Sequence, residues 1–284
     1  MMAPWHRAVL AARIAVIEEL LPSTPSVFPM RTRTLIPALL ALPFMTSCIP
    51  TGRAYVGAAF MKVAGDVALQ NAGGSLNLDA SQSDIEDDLG AGGSDSSPYA
   101  RAEADWGPHR VRVSGFGHSS GGTGTLTNAY GDLAASTAVG TDLEIINVTG
   151  AYTFDLLPTS MFRLGIGAQL GYSSIDLTVR QTSGIGFERV RTDNYVPMPV
   201  VDAEVDLGVV AFGGSLGGFE VDLGDADGRY WDGELFVRAA PWSLVELIGG
   251  YRYLSFDSSG EADNRDFNAD LELTGWFIGG GIKF

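Results

Sequence analysis

The final segment of the chain, 276–284, places an aromatic or a large apolar side chain on nearly every second position. Trp276, Ile278, Ile282 and Phe284 share one parity, with Gly280 among them; Phe277, Gly279, Gly281 and Lys283 take the other. Side chains of a strand alternate between its two faces, so the segment reads as a strand with one continuous apolar face. The 37 glycines point the same way. Each interior glycine costs a helix about 1 kcal/mol relative to alanine, whereas tight turns and closely approaching strands use it readily. A helical bundle is therefore excluded, and a hydrophobic content of 45% excludes a disordered chain.

Upstream, strand-like runs alternate with two kinds of connector. The short kind often carries proline: Gly107-Pro108, Leu157-Pro158-Thr159-Ser160 and Pro241-Trp242-Ser243. The long kind is rich in Gly, Ser, Asp and Asn, at 83–97, 119–140, 181–194, 224–229 and 257–266. The runs give about ten strands, at 53–67, 98–106, 109–119, 142–155, 161–180, 195–208, 213–223, 229–240, 244–256 and 267–284. Two places are weakly marked: the stretch 75–81 could pair back on the first strand, and the 208–213 turn is unusually apolar. Eight strands with one decorated loop is the alternative.

Alternation is clear within these runs. Val201, Ala203, Val205 and Leu207 oppose Asp202, Glu204 and Asp206; Trp231, Leu235, Val237 and Ala239 oppose Asp232, Glu234 and Arg238. Some runs change phase, near Gly275, at Ser173-Ser174 and at Ile145-Ile146. Such a change marks a bulge, or the level at which a strand leaves an apolar medium and its outer face meets water. The second reading is preferred for 142–145 and 174–180, which adjoin long loops.

The terminal strand ending on an aromatic resembles the closing strand of a bacterial outer-membrane β-barrel. The stretch 84–90, then 98–106, then Tyr251-Arg252-Tyr253 and the last strand are similar to a family of proteobacterial barrels within the OmpA-like superfamily. That resemblance implies an all-β fold, a transmembrane antiparallel up-and-down β-barrel, with short periplasmic turns and long extracellular loops. It implies an outer-membrane address, with outer-membrane lipids, lipopolysaccharide and the barrel assembly machinery as partners. A peptidoglycan-binding domain following the barrel is not expected. A soluble sandwich would turn the same faces inside out.

Residues 30–48 read as a secretory signal. Arg31 and Arg33 precede the apolar run 35–45, which is too short for a transmembrane helix. Thr46-Ser47-Cys48 resembles a lipoprotein cleavage site, with Cys48 as the lipidated residue, although Met45 stands where leucine is usual; ordinary signal cleavage nearby is the alternative. Residues 1–29 are expected to be an over-extended start or a leader, and 49–284 the barrel. Cys48 is the single cysteine, so no intramolecular disulfide forms. A net charge of −16 argues against nucleic acid as a partner.

With apolar residues outward, the lumen receives Arg101, Glu103, Asp105, Arg110, Arg112, Arg163, Asp202, Glu204, Asp206, Glu220, Asp222, Asp232, Glu234, Arg238, Glu246 and Arg252. In a barrel this small the interior is filled by side chains, so these charges are expected to form a cross-lumen network. The competing reading is a small cation-preferring or hydrophobic-ligand channel. The acidic run 84–90 does not match an EF-hand loop and reads as a solvated loop whose Leu89 tucks against the barrel. His118 and Ser120 resemble the catalytic pair of lipid A deacylase barrels, which would make His118 the base and Ser120 the nucleophile. No orienting acid is assignable, so His118 and His109 read as polar surface. No catalytic residue, cofactor or metal is expected, and the preferred reading is a non-enzymatic barrel that is structural or poorly conducting. The aromatics Tyr152, Phe154, Phe162, Tyr172, Trp231, Tyr251, Tyr253, Trp276 and Phe284 are expected to form interfacial girdles.

Overall fold

The computed structural model describes residues 50–157, 159, 161–222, 227–262 and 265–284. The expectations for 1–29, for the signal at 30–48 and for Cys48 lie outside the described residues. Eleven antiparallel strands make one sheet. In chain order they are β1 (Thr51–Leu69), β2 (Ser83–Asp84), β3 (Asp95–Trp106), β4 (His109–Thr125), β5 (Ala138–Asp155) and β6 (Phe162–Gln181). β7 (Phe187–Asp206), β8 (Val210–Asp222), β9 (Asp227–Ala239), β10 (Val245–Ala262) and β11 (Arg265–Lys283) follow.

Each long strand pairs with the next, and β11 returns to β1 in register from Arg53↔Lys283 to Leu69↔Phe267. The sheet is thus a closed barrel with β2 as a small addition, and closure leaves no open edge between first and last strands. Phe284 tightens the seam: its N–H donates to the Gly52 carbonyl at 2.9 Å, and Gly52 N–H donates back at 2.7 Å. A Cβ on Gly52 would lie 2.4 Å from the Phe284 ring, so a larger residue there would push the terminal aromatic aside.

The alternation is unbroken where a phase change was expected. Ile146 pairs with Ser174, and Gly275 with both Met61 and Arg252, with no residue skipped. What changes is the meaning of the two faces. Near the short turns the outer face is apolar: Phe154, Tyr152, Val148 and Ile146 on β5, and Trp276, Ile278 and Ile282 on β11, are exposed. Toward the long loops the outer face becomes polar, with exposed Glu144 and Asp142 on β5 and Glu272, Asp270 and Asp266 on β11. The inner face inverts at the same level. Below it lie Thr149 and Thr153, with Glu246 and Arg252; above it lie Ile145, Leu143, Val139, Leu254, Phe256, Leu273 and Leu271, all buried. The barrel is a membrane barrel in its lower half and resembles a soluble, oil-cored barrel in its upper half. The outward-facing reading preferred for 142–145 and 174–180 holds, and it extends to the region around Gly275.

Because strands run on above the apolar band, several segments expected as loops, among them 119–125 and 187–194, are strand. The stretch 75–81 does not pair with β1; residues 78–80 form a single 3-10 turn. The pairing belongs to β2, with Asp66↔Asp84 and Val67↔Ser83. β3 stops pairing with β1 at Met61↔Asp95, and β2 takes its place higher up. The residues after β2 fold over the mouth. Asp84 Oδ1 accepts the N–H groups of Glu86 at 2.8 Å and Asp87 at 2.6 Å. That turn drives Ile85, Leu89 and Ala91 inward, where all three are 0% exposed. Leu89 tucks in as expected. Its neighbour Gly90 (φ +69°) lies against β4, where a Cβ on Gly122 would sit 2.0 Å from the Gly90 carbonyl oxygen. Leu126, Tyr130 and Leu133, from the loop between β4 and β5, complete the lid.

Candidate functional site

Inward positions of the lower strands put their charges into one space, and the arginines stitch opposite walls together. Nearest the short turns, Arg53 on β1 meets Asp105 at 2.5 Å and Glu246 at 3.6 Å. Arg110 on β4 reaches Asp105 at 2.7 Å, Glu204 at 2.9 Å and Asp202 at 3.3 Å. Arg163 holds Asp155 and lies 3.3 Å from Asp105.

One layer up, Arg238 on β9 joins Glu103 on β3 at 3.3 Å and also pairs with Glu204 on β7. The Tyr55 hydroxyl donates to Glu246. Arg101 binds Glu103 at 2.5 Å and Glu234 across the lumen, with its guanidinium 4.5 Å above the Phe236 ring.

The top layer centres on Arg252 and Asp232, 2.8 Å apart. Arg252 also donates to Thr149 at 2.6 Å and Asn147 at 3.2 Å on β5, and Gln169 donates to Asp232 at 2.8 Å.

Most of these side chains are almost fully buried. A lone charge there would be strongly unfavourable, and the network answers each carboxylate with one or more guanidinium groups. The geometry braces the barrel across its diameter and fills it.

Of the residues expected in the lumen, the structure brings Arg101, Glu103, Asp105, Arg110, Arg163, Asp202, Glu204, Asp232, Glu234, Arg238, Glu246 and Arg252 into this network. Arg112 points inward and is buried, yet it forms no ion pair within 4.0 Å among the described residues. Its would-be partners are already held by Arg101, Arg110 and Arg238. Asp206 stands outside the network, where its Oδ1 accepts from Gly208 N–H at 2.7 Å and caps the β7–β8 turn. Glu220 shares the outer parity of Leu216 and is exposed. The side chain of Asp222 lies outside the described residues. Arg53, Tyr55, Asp155, Asn147 and Thr149 were not anticipated. β1 hides its parity behind small residues (Ala54, Gly57, Ala58, Ala59), and neutral inward residues carry no charge to flag them.

His118 and Ser120 share the inner face of β4 but make no pair. Ser120 Oγ donates to the Ala91 carbonyl at 2.6 Å, and both ring nitrogens of His118 are buried without a hydrogen-bond partner among the described residues. His118 is 2% exposed, which replaces the expectation of polar surface with burial in the core beneath the lid. His109 sits at the lower rim, where its Nδ1 is 2.7 Å from the Tyr152 hydroxyl and its ring lies among Trp106, Tyr152 and Phe154.

No family model matches the chain, and no curated protein sequence matches it. Solved structures do. The outer-membrane protease OmpT from Escherichia coli superposes with a TM-score of 0.57 at 14% identity, covering 84% of this chain and 98% of that one. Neisserial surface protein A follows with a TM-score of 0.33 at 15% identity, over 82% and 97% of the two chains. Ail of Yersinia pestis gives 0.31 at 10% identity, over 83% and 99%. The fold is that of an outer-membrane β-barrel. At such identities the likeness extends to the fold alone.

Proposed function

We propose that this chain is a non-enzymatic barrel of the outer membrane, allied to the OmpA-like superfamily, whose role is structural and whose lumen conducts poorly. The observation that carries the reading is the filled interior: a three-layered charge network below, and an oil-like core capped by Ile85, Leu89 and Tyr130 above. Water and ions need a continuous polar path, and here one half of the path is cross-linked charge and the other half apolar. The apolar outer belt, with its aromatics at the lower rim, supports outer-membrane lipid and lipopolysaccharide as surroundings and the barrel assembly machinery as the route of insertion. That His118 makes no hydrogen bond among the described residues, and that Ser120 is engaged with backbone, support a non-enzymatic role.

Two measurements test this. In the outer-membrane fraction, unheated protein should migrate faster than boiled protein in detergent gels. Purified barrel in planar bilayers should then show no sustained conductance steps. Steady cation-selective steps would replace the structural reading with that of a pore.

A further inference from the structure

The barrel wall has a notch. β7 pairs with β8 only from Val200↔Gly217 to Asp206↔Ala211, although β7 continues up to Phe187 on its β6 side. The ladder stops where Pro199 and Pro197 begin. A proline has no N–H to donate, and strands tolerate it where that position faces an unpaired edge. Among the described residues, then, β7 presents a bare edge above Val200, and the paired part of β8 and β9 ends at Asp222↔Asp227.

A cavity of about 200 Å³ occupies the notch. It is lined from both sides of the wall: Tyr195 and Pro197 are open to the outside, whereas Tyr230 and Phe256 are buried at 3% and 6% exposure, and the half-exposed Phe219 pairs with Tyr230 on the inner face. Phe256 is also a wall of a second, apolar space inside the upper barrel, next to Ile175, Val190 and Phe267. The notch lies at the top of the apolar belt. Tyr195 stacks on Tyr172 (centroids 4.9 Å apart), and the next outward residues above them are Asp193 and Ser174. Two donors line the cavity. Among the described residues, Asn194 Nδ2 is buried with no partner, and the half-exposed Arg229 guanidinium is held by Asp257 alone, at 3.3 Å.

We propose that this notch is a lateral binding site for a single fatty acid, which enters from the outer leaflet of the bilayer. Its carboxylate is met by Arg229 and Asn194, and its chain lies against Val196, Tyr230 and Phe256. The site is separate from the charged lumen and independent of whether that lumen conducts.

The test uses the full-length barrel in phospholipid nanodiscs, labelled with a palmitic acid carrying a mid-chain diazirine and mapped by peptide sequencing. Folding of every variant is checked by the heat-dependent gel shift. Adducts are expected on the inward-facing Tyr230 or Phe256, as well as on lipid-facing Leu235. Val196→Trp should cut the inward adducts about tenfold while leaving Leu235 labelled. Arg229→Gln, at an exposed position, should abolish the preference for the acid over the matching fatty-alcohol probe. Adducts confined to outward residues, inward labelling indifferent to Val196→Trp, or equal labelling by acid and alcohol in the unmodified protein would each overturn the assignment.

Discussion

Among single residues, the arginines of the lumen divide sharply by what they touch. Arg238 bridges Glu103 and Glu204, both nearly inaccessible to water, so its loss leaves the buried Glu204 without its closest cation and Glu103 with one cation fewer. Arg238→Met should destabilise the barrel by about 3–5 kcal/mol, read as a lowered urea midpoint in lipid vesicles. Arg112 makes no ion pair within 4.0 Å among the described residues, so Arg112→Met should be neutral or stabilising in the same assay. A drop for Arg112→Met as large as that for Arg238→Met would show that the network is governed by total charge and not by contact. Sequence parity placed both residues in the lumen correctly. It carried no information on which carboxylate each would meet, because that depends on how strands from opposite walls face one another across the barrel.

Among elements, the segment around β2 is the most weakly attached part of the wall, held by two paired positions and the apolar anchors Ile85 and Leu89. It also docks acid against acid. Burial, followed by the nearby carboxylates Asp84, Asp270 and Asp88, pushes the Asp66 carboxyl above its ordinary range. An acid whose folded value is raised stabilises the fold when protonated, and that contribution is lost as pH rises through the raised value. Hydrogen exchange at the Ile85 and Leu89 amides should therefore be slower in mild acid, below the raised Asp66 value, than at neutral pH, after correction for intrinsic rates. Asp66→Asn should flatten that dependence. The ten long strands and their alternating runs were legible from period alone; the two-residue β2, which makes eleven among the described residues, was not. The positions of strand ends were not, because the expected pattern of apolar-out residues fails above the belt although the strand does not. The inversion of the faces made continuous strands such as β5 and β11 look like strands with a slip.

At the scale of the whole molecule, the two halves obey opposite solvation rules, and the change falls at one level around the ring. Ile146, Tyr172, Tyr195, Tyr253 and Trp276 lie just below it on the outside; Glu144, Asp176, Asp193, Asp257 and Glu272 lie just above. Single cysteines at 144 and 272 should react with a membrane-impermeant maleimide on intact cells, while cysteines at 146 and 278 should not. Reaction at 146 with silence at 144 would invert the barrel or place the belt elsewhere.

The inversion also fixes the vertical position of the molecule in its bilayer. A barrel with a uniformly apolar exterior can ride up or down when the surrounding lipid thickens or thins. This one has a waterline: rising would bring Trp276 and Ile278 into water, and sinking would draw Glu144 and Glu272 into hydrocarbon. Any mismatch must therefore be absorbed by the lipid, which will stretch or compress around a protein that does not yield.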